Sequence, residues 1–211
     1  MPAFDIFSIG HSNIPAERFT AMLRTAGVGA IADVRSTPVS RFCSWFSAKN
    51  LVPLLAQDGV AYLSYGDELG GRPRSPALYC DGIADYEAMA RQSEFMAGLE
   101  RLRADAARYR VCLMCAEREP LDCHRCLLVA RELAVRGIAV GHILSDGAIE
   151  PHAATEQRLL AFDAKNDGTP DLFVTGNLFP TGHDERLAAA YYHRARAVAY
   201  RAKGKSSGAT P

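Results

Sequence analysis

The chain has 211 residues, enough for one main domain and an extension, and its 24 basic and 24 acidic side chains cancel. Balanced charge removes any whole-protein argument for nucleic acid or a membrane surface, while an apolar share of 48% permits a full core. No apolar run approaches the ~20 residues that span a bilayer and the start lacks the basic-then-apolar plan of a signal peptide, so the chain reads as cytoplasmic, without a membrane partner and with its cysteines reduced.

Residues 4–9 form a short apolar run entering Gly10-His11-Ser12-Asn13, the pattern of a buried strand ending in a loop. Residues 15–26 follow with Phe19, Met22 and Leu23 at helical spacing, Pro15 in front and Gly27 behind. A second strand is predicted over 28–34, ending in Asp33-Val34-Arg35-Ser36, and a helix over 47–57 that Pro53 shortens or kinks. A third strand over 60–63 leads into a long loop, 65–82, rich in Gly, Pro and Arg; loops of that length in compact domains are often functional. Residues 86–108 are helical in pattern with a break near Gln92-Ser93. Residues 111–115 read as the fourth strand, 123–136 as the fourth helix, and 138–144 as the fifth strand. After residue 150 the pattern becomes helical over 152–165, irregular over 166–182 and helical over 184–202, with a disordered tail over 204–211.

Strands alternating with helices predict an α/β fold: three layers, a mainly parallel five-stranded sheet with helices on both faces. The predicted organisation is an α/β domain over 1–150, a helical extension over 151–203 packed on it, and the tail. Ligands of open parallel sheets bind beyond the carboxyl ends of the strands, at a switch point in strand order. Every unusual polar cluster falls at such an end: His11 and Ser12 after the first strand, Asp33 and Arg35 after the second, Gly70 and Arg72 after the third, Cys115 and Glu117 after the fourth. Cys123, His124 and Arg125 open the next helix.

Arg35, Arg41, Arg72 and Arg125 suit an anionic partner, because guanidinium groups capture phosphate in bidentate fashion. A structural network with Asp33, Glu68, Glu117 and Asp122 is the competing use of these arginines. Cys123 is the better nucleophile candidate: a helix start beside His124 and Arg125 favours the thiolate, and Cys115 is a second thiol for the same pocket. Glu117 is a candidate general acid or base with Asp33 as a second carboxylate, and His11 with Ser12 a candidate substrate contact.

Two Cys-x-x-Cys pairs, Cys112/Cys115 and Cys123/Cys126, suggest zinc. In a strand, however, residues three apart point to opposite faces, and Cys126 falls among Leu127 and Val129 as a core residue would. The expectation is a metal-free site; Cys115, Cys123 and His124 with Glu117 form the more plausible metal set if one exists. Neither a dinucleotide fingerprint nor a Walker motif occurs, so no nicotinamide or nucleoside triphosphate cofactor is expected. The last helix interleaves Arg194, Arg196 and Arg201 with Tyr191, Tyr192 and Tyr200, a pattern shared by nucleic-acid surfaces and by ordinary solvated helix faces; the bland reading is preferred.

Six segments in order carry a family likeness: Ile9-Gly10-His11-Ser12, Asp33-Val34-Arg35-Ser36 with Pro38, Ser40-Arg41-Phe42, Leu69-Gly70-Gly71-Arg72, Cys115-Ala116-Glu117 and Cys123-His124-Arg125. Together they resemble the domain-of-unknown-function family numbered 488, over about residues 4 to 160. The resemblance implies an enzyme, since the shared motifs are polar and reactive, and names no reaction. Cys80, Cys112 and Cys126 lie outside those motifs, and Cys43 stands where the family pattern implies a polar residue. The resulting expectation is a hydrolase- or transferase-like enzyme acting on a phosphate-bearing small molecule, nucleotide or nucleic acid. Its alternatives are a thiol-redox or metal-binding protein centred on Cys115, Cys123 and His124, or a non-catalytic nucleotide- or nucleic-acid-sensing module. Nothing in the sequence sets an oligomeric state.

Overall fold

A computed structural model describes residues 4–166 and 182–202. Five apolar runs become strands: β1 (Ile6–Gly10), β2 (Ala30–Asp33), β3 (Ala61–Ser64), β6 (Val111–Cys115) and β7 (Val140–Ile143). Between β3 and β6 lies a two-stranded hairpin of β4 (Tyr79–Cys80) and β5 (Ile83–Ala84). The five main strands are mutually parallel, and a sixth, β8 (Ile149–Pro151), pairs antiparallel with β7. The main sheet is therefore six-stranded, in the order β3-β2-β6-β1-β7-β8, where five strands were expected. The extra strand was missed because three residues carry no periodicity to read.

The strands are apolar almost throughout because both faces are covered. Successive side chains alternate: Ile6, Ala30, Ala32, Val111 and Leu113 enter one core, while Phe7, Ile9, Ile31, Cys112 and Met114 enter the other. The second core is roofed by α1 (Ala16–Thr25) through Phe19 and Leu23, and by α2 (Ala48–Gln57) through Leu51 and Leu55, with Pro53 inside the latter. The first is roofed by α5 (Ser93–Ala106), by the segment from Arg125 to Val135, and by α7 (His152–Asn166) and α8 (His183–Val198).

The predicted break near residue 92 separates α4 (Tyr86–Ala90) from α5. The long loop over 65–82 is more ordered than expected: it holds a helical turn, α3 (Gly66–Leu69), and the first hairpin strand. After α8 the chain adds itself to that hairpin, with Arg201 bridging Ile83. The predicted irregular stretch lies almost wholly, and the disordered tail wholly, outside the described residues.

Strand order places the site. From β1 the chain moves to β2 and β3 with α1 and α2 on one face. It then returns to β6, between β1 and β2, and passes to β7 beyond β1 with its helices on the other face. The switch falls at the centre, where β6 lies between β1 and β2. Register aligns their carboxyl ends: Gly10 pairs with Cys115 and Asp33 with Met114. Among the described residues no helix is long and apolar enough to cross a membrane.

Candidate functional site

The loop leaving β1 is tied to the loop leaving β6. His11 N–H donates to the Cys115 carbonyl and Ser12 N–H to the Ala116 carbonyl, both at 2.9 Å. The two backbones meet so closely that a Cβ on Gly10 would stand 1.8 Å from the Glu117 carbonyl oxygen, so only glycine fits there. Ser12 holds a left-handed φ of 45°, rare for a residue with a side chain.

Around this seam lie two groups of polar side chains. In the first, Arg35 forks onto Asp33: Nε donates to Oδ1 at 2.8 Å and Nη2 to Oδ2 at 2.6 Å. Tyr62 Oη also donates to Oδ2, and the Arg35 backbone N–H donates to Oδ1. Arg35 Nη1 donates to His11 Nε2 at 3.1 Å, while His11 Nδ1–H donates to the Ser12 carbonyl. The imidazole stacks on Phe46. Burial, assisted by the Arg35 charge, lowers the His11 pKa to about 4, so the ring is neutral. Asp33 is thus fully engaged in orienting Arg35, and it does not pair with Glu117 as the sequence suggested.

In the second group Cys115, Glu117, Cys123 and His124 converge. Their donor atoms all lie within 4.8 Å of one another. Glu117 Oε2 is 2.9 Å from Cys115 Sγ and 3.1 Å from Cys123 Sγ, and His124 Nδ1 is 3.8 Å from each sulfur. His124 Nε2–H donates to the Val34 carbonyl at 2.9 Å, which leaves Nδ1 as the bare nitrogen facing the thiols. Both thiols and the imidazole are buried; Glu117 is exposed and forms the open side.

Electrostatics in this group are strongly coupled. For Cys123, burial is outweighed by the hydrogen bond from Cys115 and by Arg125 and His124, which together hold its pKa well below that of a free thiol. Cys115 moves the opposite way, through burial and then its bonds to Cys123 and Glu117. Burial of its carboxylate end and the neighbouring Cys123 raise Glu117, although the residue as a whole is exposed. The imidazole of His124 is raised by Cys123 and Glu117 against burial.

Arg125 points inward rather than toward solvent, where the sequence placed it as an anion contact. It is fully buried, its Nη1 and Nη2 donate to the Glu117 and Arg118 carbonyls at 2.7 and 3.0 Å, and its Nε has no partner. Removing it from the expected anion clamp has a plain cause: two backbone carbonyls turn inward beneath it. Arg72 lies at the rim, its guanidinium over the Tyr200 ring, and its backbone N–H donates to Ser36 Oγ. Beside it Gly70 presses on Ser36 and Gly71 on the His124 ring; a Cβ on Gly71 would stand 2.7 Å from Cγ. Arg41 is exposed and unpaired among the described residues.

Several partners escaped the sequence reading. Tyr62 and Phe46 carry no signal beyond ordinary core apolarity, and Val34 contributes only a carbonyl. Arg118 reaches Asn13 and Ser12 from beside Glu117 and, unlike Arg125, faces solvent. Its place inside the Cys-to-His run was the available clue. Cys112 enters the opposite core from Cys115, as the strand spacing requires. Arg194 and Arg196 of the last helix are spent on Asp122 and Asp81. The helix after Cys123 opens not as an α-helix but as a π-helical turn, Arg125–Ala130, a form frequent at functional sites. A surface cleft of about 650 Å³ lies at the opposite sheet edge among Phe4, Arg103, Tyr109 and Arg110 and gathers none of these donors.

Compared with known proteins, residues 15–131 match the family model described as "Domain of unknown function DUF488". No curated protein and no solved structure matches the chain.

Proposed function

The chain belongs to the DUF488 family, whose model covers more than half of it, and on that footing we propose a metal-dependent hydrolase acting on a phosphate-bearing substrate. The observation that carries this reading is the convergence of two thiols, an imidazole nitrogen and a carboxylate oxygen within 4.8 Å. Sulfur and imidazole donors in that number favour zinc over harder ions. Cys115, Cys123 and His124 would hold the ion. His124 has the outer-shell support typical of a metal-bound imidazole, its far N–H held by the Val34 carbonyl. The Arg125 backbone N–H, 3.4 Å from Cys123 Sγ, steadies the second thiolate.

Glu117 reaches the same point from the exposed side and would take the proton of the attacking water, whose acidity a bound metal would raise. Arg118, Arg72 and Arg41 are exposed toward solvent and supply anion contacts in place of the buried Arg35 and Arg125. A second reading, thiol chemistry at Cys123, is favoured by one observation: Cys123 Sγ stands 3.8 Å from His124 Nδ1, and the neighbouring charges shift the thiol down and the imidazole up, the directions of a thiol–imidazole acid–base pair. Exposure of only 2% at Cys123 and 3% at Cys115 speaks against attack on an incoming substrate.

The test is turnover of chromogenic phosphate mono- and diesters and of nucleotides by zinc-loaded and by chelator-treated protein. Hydrolysis that needs zinc, and that falls ~100-fold or more in Glu117→Gln at unchanged zinc content, supports the proposal. Hydrolysis indifferent to chelation, or a thiol that alkylates readily at neutral pH in the zinc-loaded protein, overturns it.

A further inference from the structure

A second group of donors lies under the first, inside the core. Cys126 on the π-helical turn, His142 on β7 and His152 at the start of α7 bring one sulfur and two ring nitrogens within 4.8 Å of one another. All three are buried: Cys126 and His142 are 0% exposed and His152 is 4%. They come from three separate elements, and the proposed hydrolytic chemistry uses none of them.

Hydrogen bonding outside the group fixes how the rings present themselves. His142 Nδ1 meets Ser8 Oγ at 2.7 Å, and His152 Nε2 meets Tyr191 Oη at 3.0 Å. Tyr191 in turn donates to Glu156 Oε1 at 3.0 Å. The remaining nitrogens, His142 Nε2 and His152 Nδ1, face each other at 2.9 Å with Cys126 beside them. A hydroxyl on one ring and a tyrosine backed by a carboxylate on the other are the outer-shell partners that orient metal-bound histidines.

We propose that Cys126, His142 and His152 bind a single cuprous ion in trigonal geometry. The choice of ion follows from three features. Two imidazoles and one thiolate in a plane are a copper ligand set, and soft sulfur selects the monovalent state. Among the described residues no fourth histidine, cysteine or carboxylate joins the group, and closure from solvent disfavours zinc, which completes four-coordination with water at three-donor sites. Charge within the ligand shell also balances for a monovalent ion, with one thiolate and two neutral rings. A divalent ion would leave a net positive charge in the core near the guanidinium of Arg125, whereas Glu156 stands one shell further out.

Binding needs little movement and one proton. The Cys126 thiol releases its proton to solvent as the copper–sulfur bond forms. The proton between the rings moves to His142 Nδ1, which then donates to Ser8 Oγ. No oxidant or reductant is consumed.

The test is anaerobic titration with cuprous ion against a chromophoric cuprous chelator, followed by copper X-ray absorption. It uses the Cys115→Ser/Cys123→Ser double variant, so that the outer thiols cannot bind. One copper per chain is expected, with a first shell of two nitrogens and one sulfur. Adding Cys126→Ser or His152→Gln should weaken binding at least 100-fold while circular dichroism shows the fold retained. The absorption spectrum of the double variant alone tests the ligand shell should those further variants misfold. No copper in the double variant, a shell of other composition, or copper retained in Cys126→Ser overturns the proposal; equal uptake of zinc overturns the monovalent assignment. These residues are separate from the hydrolytic group, so either proposal can fail alone.

Discussion

Acid should destabilise the wild-type protein more than a variant lacking the His11 imidazole. His11 Nδ1–H is committed to the Ser12 carbonyl and Nε2 accepts from Arg35 Nη1. A second ring proton would set an imidazolium N–H against a guanidinium N–H in a buried pocket, on a ring stacked against Phe46. Burial, with Arg35 adding to it, lowers the pKa to about 4 from 6.5. The unfolded chain therefore takes up this proton before the folded one does. Its contribution to stability is whole above about pH 6.5 and is lost as the pH falls, ending near pH 4. A gap of ~2.5 pH units at ~1.36 kcal/mol each corresponds to about 3 kcal/mol below pH 4 and about 2 kcal/mol at pH 5. Urea unfolding of wild type and His11→Gln between about pH 7.5 and pH 5 isolates this contribution, because the other titrating groups are common to both. The stability difference between the two should shift by about 2 kcal/mol against wild type over that range. A difference that stays flat would refute a buried neutral His11 held by Arg35.

Gly10→Ala should cost more than ~3 kcal/mol, because its Cβ would meet the Glu117 carbonyl backbone at 1.8 Å and neither strand end can retreat; unaltered urea midpoints would contradict this. Gly71→Ala places a Cβ 2.7 Å from the His124 ring and should lower zinc affinity ~10–100-fold with a smaller loss of stability, read by competition with a chelator. Arg125→Met should cost ~3–5 kcal/mol in urea unfolding, since it strips two inward carbonyls of their donors and removes the cation beside Cys123; Arg125→Lys should not restore it, because one ammonium cannot span both carbonyls.

The parallel sheet was legible because strands buried on both faces become unbroken apolar runs, as in Val111 to Cys115 and Ile6 to Ile9. The site was legible for a related reason: an apolar run that stops at His11, Arg35 or Glu117 marks a strand's carboxyl end. What escaped notice depends on distant backbone. Arginine as a residue type does not reveal whether it will face solvent, as Arg118 does, or two inward carbonyls, as Arg125 does. Asp33 and Arg35 lie two apart, and their fork forms because the chain turns at the end of β2. Cys126, His142 and His152 meet across three elements, with no spacing that a linear reading would single out. The loop over 65–82 reads as functional from its length and its place after the third strand, but nothing in its sequence shows that Gly71 serves close approach to His124.

The most direct test of the central claim is metal analysis of protein purified without chelators, combined with cobalt substitution. One equivalent of zinc is the predicted result, replaceable by cobalt with thiolate-to-metal charge-transfer absorption and tetrahedral visible bands. Both should disappear in Cys123→Ser and weaken in His124→Gln while copper-site residues are left intact. Protein carrying well under one equivalent, taking up no cobalt, or keeping both signals in Cys123→Ser would contradict a metal centre at Cys115, Cys123 and His124.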